Sequence, residues 1–293
     1  MPRLAPPLVA RLAAAVSEQR AQIEAILARA VRLDDPKVLH DLRVALRRAA
    51  ALARLTRNFP TPDSGDPLRR TARDLRRFLS PHRTLEVTVE RLNRRFRSDP
   101  ARHAVAKKLA ARIAPPSGGT ADSAKEGQLR LAALRAAFTI RDAELSRISR
   151  PFVPETASRG EVVLARLVRR RLRKRRKKLL AAGLPERETL HPMRIAAKEL
   201  RYELEFVRGL VAGVPELLRE FQRFQDAAGD AHDRIELIRL VAEASAAAPP
   251  PLRREGIRLG PVLERDAALA LRRARTVAGV LLKRLSEFGV EWS

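Results

Sequence analysis

Between one Pro- or Gly-containing break and the next, this 293-residue chain places apolar residues at helical spacing almost without interruption, and no stretch alternates as a strand would. Ala, Leu, Arg and Glu, all strong helix formers, fill these stretches. Helices are predicted over 5–32, 37–58, 66–79, 83–97, 100–113, 125–148, 158–182, 188–211, 215–228, 232–247 and 261–289. The breaks, among them "LDDP", "APPSGGTADS" and "AGLPERET", hold the residues that end helices. The expected fold class is therefore all-α.

Two stretches repeat: "HDLRVALRRAAA" at 40–51 and "HPMRIAAKELRY" at 191–202. Each has a His, an Arg three residues on and a base seven residues on. Each follows a long helix and a short acidic, Pro-containing turn, and each is followed by shorter helices and then a long one. The order of elements repeats with the motif, so two tandem helical bundles are expected, 1–150 and 151–293.

On a helix, His191, Arg194, Lys198 and Arg201 fall within about 80° of one another and span about 15 Å. The apolar stripe of Met193, Leu200 and Leu204 is turned away from them. The first copy aligns His40, Arg43, Arg47 and Arg54, with Ala50 where the second copy has Arg201. Rows of bases at helical turns can follow rows of phosphates, because each guanidinium grips two oxygens. A solvated helix face with the histidines as start residues is the plainer alternative. A third basic feature is "RRRLRKRRKK" at 169–178, nine of whose ten residues are basic. Apolar residues still recur through it, so it reads as a packed helix showing Arg166, Arg170, Arg173 and Lys177 on one stripe.

The balance of 60 Lys and Arg against 34 Asp and Glu leaves a net charge of +26. Repulsion of that size disfavours a compact state unless a polyanion relieves it. With 45% hydrophobic residues the chain can still build a core. The absence of Cys excludes disulfides, thiolate catalysis and Cys-based zinc sites. No signal peptide or apolar span of about 20 residues appears, so a cytoplasmic protein without membrane contact is expected. There is no HExxH, phosphate loop or nucleophile elbow, and His82, His103 and His232 lie apart in sequence. The reading is of a binding protein, not an enzyme, with no metal or cofactor. Aromatic residues are only 4%, which argues against stacking on single-stranded nucleic acid. Nucleic acid is the alternative polyanion, and a scaffold that recruits other proteins is a third class.

"LHDLRVALRR", "LHPMRIAAKELRYELEF" and "FQRFQDAAGDAHDRIELIRL" resemble the CHAD family, the conserved histidine α-helical domain, across essentially the whole chain. Gly229 and Asp233 match the family's Gly-containing turn and Asp-headed helix. The resemblance implies an all-helical pair of bundles that binds inorganic polyphosphate, often at granules alongside granule proteins, with binding and no catalysis. It places His40, Arg43, Arg47, His191, Arg194, Lys198 and Arg201 at motif positions. Ala50, and Thr84 in "LSPHRTLEV", depart from the family pattern in the first half. "ELEFV" at 203–207 echoes the ExExK of the triphosphate-cleaving domain that often accompanies CHAD, but lacks the Lys and falls in a helix; it is read as a chance match.

Overall fold

A computed structural model describes residues 8–29, 35–59, 66–79, 89–113, 121–149 and 154–289. Among these, the helices are α1 (Leu8–Ala28), α2 (Pro36–Leu55), α3 (Asp66–Phe78), α4 (Pro100–Ile113), α5 (Ala121–Ser149), α6 (Pro154–Ala181), α7 (Leu190–Phe206), α8 (Val214–Ala246) and α9 (Pro250–Glu287). A further helical stretch covers 89–95. The described residues include no strand, only an isolated bridge between Arg208 and Val211. The fold is all-α, as the periodicity predicts. Thr84 and His82 lie outside the described residues.

Local chemistry sets several boundaries. Asp35 caps α2, accepting from the Lys37 and Val38 amides at 2.8 and 3.4 Å, with Pro36 at the first helical position. At its other end, the buried Arg141 of α5 donates to the Thr56 carbonyl at 2.7 Å and to Thr56 Oγ1 at 3.2 Å. A cation is thus fixed at the negative end of α2. Two expectations give way. The predicted break near Gly229 is absent and α8 runs through it, because one helical Gly costs only about 1 kcal/mol and packing along α9 exceeds that. The last helix begins at Pro250, where Pro is tolerated in a first turn, and runs on through Pro261, the expected start.

The main core draws on both sides of residue 150. α1 packs on α2 and α5, α2 on α3 and α7, and α6 and α8 on α7. Leu12, Leu46, Leu52, Phe138, Leu172, Leu204, Phe221 and Ala274 all belong to one buried cluster. A smaller cluster joins Leu92, Phe96 and Leu109 to Leu240, Val241 and Leu259 at the far ends of α8 and α9.

Ionic contacts tie α2, α6 and α7 together. The Glu203 side chain on α7 is fully buried. Its Oε1 accepts from Arg54 Nε of α2 and from Arg171 Nε of α6, both at 3.1 Å. Glu199, one turn earlier, meets Arg175 of α6 at 2.7 Å and Arg54 at 3.6 Å. On the same helix, Glu205 accepts from Arg48 of α2 at 3.1 Å. The two carboxylates of "ELEFV" therefore anchor neighbouring helices.

Two variants test this packing. A Cβ on Gly256 of α9 would lie 2.9 Å from Ser245 Cβ and 2.2 Å from its Oγ on α8. Gly256→Ala is expected to lower stability by about 1–3 kcal/mol, the usual cost of overpacking, despite its helix propensity. Glu203→Gln leaves Arg54 and Arg171 without their shared charge. The expected loss is roughly 2–3 kcal/mol, below the ~3–5 of a fully buried pair, because both guanidiniums keep partial water contact. Denaturant unfolding measures both.

Candidate functional site: a cationic basin between two signature helices

The two His-Arg rows face a common space. α2 lies against α7, and α3 and α8 flank them. Arg47 of α2 is the meeting point: its charge bears on Arg43 of its own helix, on Arg76 of α3, and on Arg194 and Lys198 of α7. The duplicated motif thus builds one basin from two helices. Arg47, Arg76, Arg194 and Lys198 make no hydrogen bond or ion pair among the described residues. The Arg194 Nε is buried with no acceptor among them.

These cations hold their charge at a cost. Burial, then Arg47 and Arg76, disfavours charged Arg43; burial, then Arg47 and Arg54, does the same to Arg76. Burial weighs first on Arg194 too, eased by Asp233 of α8 and aggravated by Arg47. Lys198 lies at the centre. Burial, followed by Arg194, Arg47 and Arg201, depresses its ammonium to about 7. His191 Nδ1 sits 3.2 Å from His232 Nε2 of α8. Both imidazoles are pushed down by burial and then by Arg194. Asp233 is shared, since it also accepts from Arg91 at 3.1 Å. The basin is desolvated, positive and short of carboxylates, which suits an oxyanion with several phosphoryl oxygens.

The sequence-predicted residues divide by location. Arg43, Arg47, His191, Arg194 and Lys198 enter or border the basin. Arg201 closes its end, with Nη1 bonded to Gln222 Oε1 and Nε 3.5 Å from Glu205. His40 is exposed at the start of α2, one turn before Arg43. Arg54 shares the spacing of its row but reaches past it to Glu203 and Glu199. Arg166, Arg170, Arg173 and Lys177 are exposed on α6, away from the basin. Arg171 and Arg175 face the carboxylates of α7, and Arg176 caps α9 by donating to the Leu285 and Ser286 carbonyls at 2.6 and 2.7 Å. Sequence reasoning missed Arg76 and His232. Nothing in α3 singles out Arg76 among its arginines. His232 lies beside the matching Gly229 and Asp233, a signal that could have found it. Among the described residues no group of three or more His, Asp or Glu is placed to hold a metal ion. No helix among them is long and apolar enough to cross a membrane.

An all-α fold with a cationic basin between two signature helices defines the class of protein. The sequence matches the CHAD domain over residues 14–242, and the chain belongs to that family. The crystal structure of the CHAD domain from the plant Ricinus communis superimposes with a TM-score of 0.55 at 17% identity, covering 98% of this chain and 94% of that one. At that identity the likeness establishes the fold alone. No curated protein matches the sequence.

The depressed Lys198 gives a signed prediction. Unfolded, a lysine keeps its proton up to about 10.4; folded, Lys198 releases it near 7. Between these values the unfolded chain binds more protons, so this group makes stability rise with pH. Below about 7 both states are protonated and the full penalty stands. Lys198→Met is therefore expected to raise the melting temperature of the unliganded protein, more at pH 6 than at pH 9. Thermal melts at the two pH values check it; a lower melting temperature at pH 6 would contradict it.

Proposed function

We propose that the basin between α2 and α7 binds inorganic polyphosphate, and that the protein acts by binding, without turning the polymer over. The observation that carries this reading is the convergence of Arg47, Arg76, Arg194 and Lys198 with no hydrogen bond or ion pair among the described residues. Many surface guanidiniums instead sit beside acids, as in Arg219 with Glu216 at 3.1 Å and Arg223 with Glu220 at 3.0 Å. Family membership supports the same ligand class. Polyphosphate supplies a phosphoryl group every few ångströms and no base to stack, and the basin residues named here include no aromatic platform. Association with polyphosphate granules in the cytoplasm, together with granule proteins, follows from the ligand.

Titration with long polyphosphate, duplex DNA and RNA at matched phosphate concentration and near-physiological salt tests the reading. Polyphosphate is expected to bind tightest, with affinity falling steeply as salt rises. Equal or tighter binding of DNA would favour a nucleic-acid protein. Arg47→Ala and Arg194→Ala each remove charge-assisted hydrogen bonds of roughly 1.5–3 kcal/mol. Each should weaken polyphosphate about 10- to 100-fold, whereas Arg219→Ala should leave it nearly unchanged. No phosphate should be released on prolonged incubation with polyphosphate or nucleoside triphosphates.

A further inference from the structure

The outer face of α6 carries charge that the basin does not use. Core residues Leu164, Val168, Leu172 and Leu179 fix the inward side of this helix. Arg166, Arg170, Arg173 and Lys177 project from the side opposite, and Lys174 and Lys178 flank them; all six are exposed. None makes a hydrogen bond or ion pair among the described residues. They extend about 18 Å along the helix at 1.5 Å per residue. A groove of about 510 Å³ runs against this face, lined by Val162, Ala165, Arg166, Arg169, Arg170 and Arg173. The Arg169 Nε beside it is buried with no acceptor among the described residues.

This face is separate from the basin. On α7, Glu199 and Glu203 point about 100–140° away from Lys198 and take up Arg171 and Arg175 on the near side of α6. A layer of arginine–carboxylate pairs therefore lies between the two positive surfaces. A polymer strand seated over Lys198 does not lie along Arg166, Arg170, Arg173 and Lys177.

We infer that the outer face of α6 is a second polyphosphate site, and that the protein, holding one strand in the basin and another on α6, cross-links polyphosphate chains. This rests on the proposed ligand of the basin. The cations repel one another at helical spacing, a cost that a polyanion relieves. The α6 segment from 161 to 178 has no Phe, Tyr or Trp, so phosphates are what it can grip and bases have nothing to stack on. Two sites on one chain turn binding into bridging. The α6 site is more exposed than the basin, so it should be the weaker and more salt-sensitive of the two.

Calorimetry with short polyphosphate, too short to span both faces, should count two chains per protein. The variant Arg166→Gln/Arg170→Gln/Arg173→Gln/Lys177→Gln should count one, at the affinity of the tighter site. With long polyphosphate the native protein should give strong turbidity, and this variant at least tenfold less. A control with the same charge change at paired surface positions, Arg94→Gln/Arg102→Gln/Arg219→Gln/Arg223→Gln, should scatter like the native protein. Circular dichroism checks that each variant is folded. A count of one for the native protein, equal loss in the control, or duplex DNA holding α6 against excess short polyphosphate would each overturn the inference. Loss of binding by Arg47→Gln/Arg194→Gln concerns the basin alone. If that variant keeps both chains, the basin reading fails, whatever α6 does.

Discussion

The arrangement turns on one buried carboxylate. Removing an anion such as Glu203 from water costs several kcal/mol, and only close cations offset it. Arg54 comes from α2 and Arg171 from α6, so the same charge pins helices far apart in sequence to the C-terminal end of α7. Placing α2 across α7 in this way brings Arg47 beside Arg194 and Lys198. The structural ion pairs and the basin are two faces of one helix.

Carboxylates decide which cations are structural. On one side of α7, Glu199 and Glu203 are shared among Arg54, Arg171 and Arg175. On the other side Lys198 feels Arg47, Arg194 and Arg201, with Asp233 the one acid bearing on it among the described residues, and Asp233 is already engaged by Arg91. The folded chain keeps like charges together out of water, which lowers its stability and leaves a strong driving force for an incoming polyanion. The same sorting applies within the basic run of α6: inward residues hold α7 and the end of α9, and outward residues face solvent.

Helix periodicity made most of the fold legible, and the duplicated motif made the basin's two main walls legible. The His191 row was readable because spacing alone fixes which residues share a helix face. Arg54 shows the limit of spacing: it fixes a direction but not the acid that waits there, and Glu203 arrives from another helix. Arg76 and His232 join the basin only through the packing of α3 and α8, which no local pattern encodes. The chance echo of a catalytic motif at "ELEFV" has a structural use that spacing could not supply: Glu203 and Glu205 bind arginines of α2 and α6. Gly229 and Pro250 misled in opposite senses, one a breaker inside a helix and the other a breaker that starts one, because tertiary packing and first-turn geometry override residue type.

The central claim is that phosphate completes a charge balance that the protein leaves open at Lys198. Proton linkage reads this directly. Calorimetric titration of the basin with short polyphosphate at pH 7.5, repeated in buffers of different ionisation enthalpy, counts the protons exchanged on binding. The account predicts net uptake, approaching one proton per occupied basin, and its loss in Lys198→Met. Binding with no proton uptake, or with the same uptake in Lys198→Met, would contradict it.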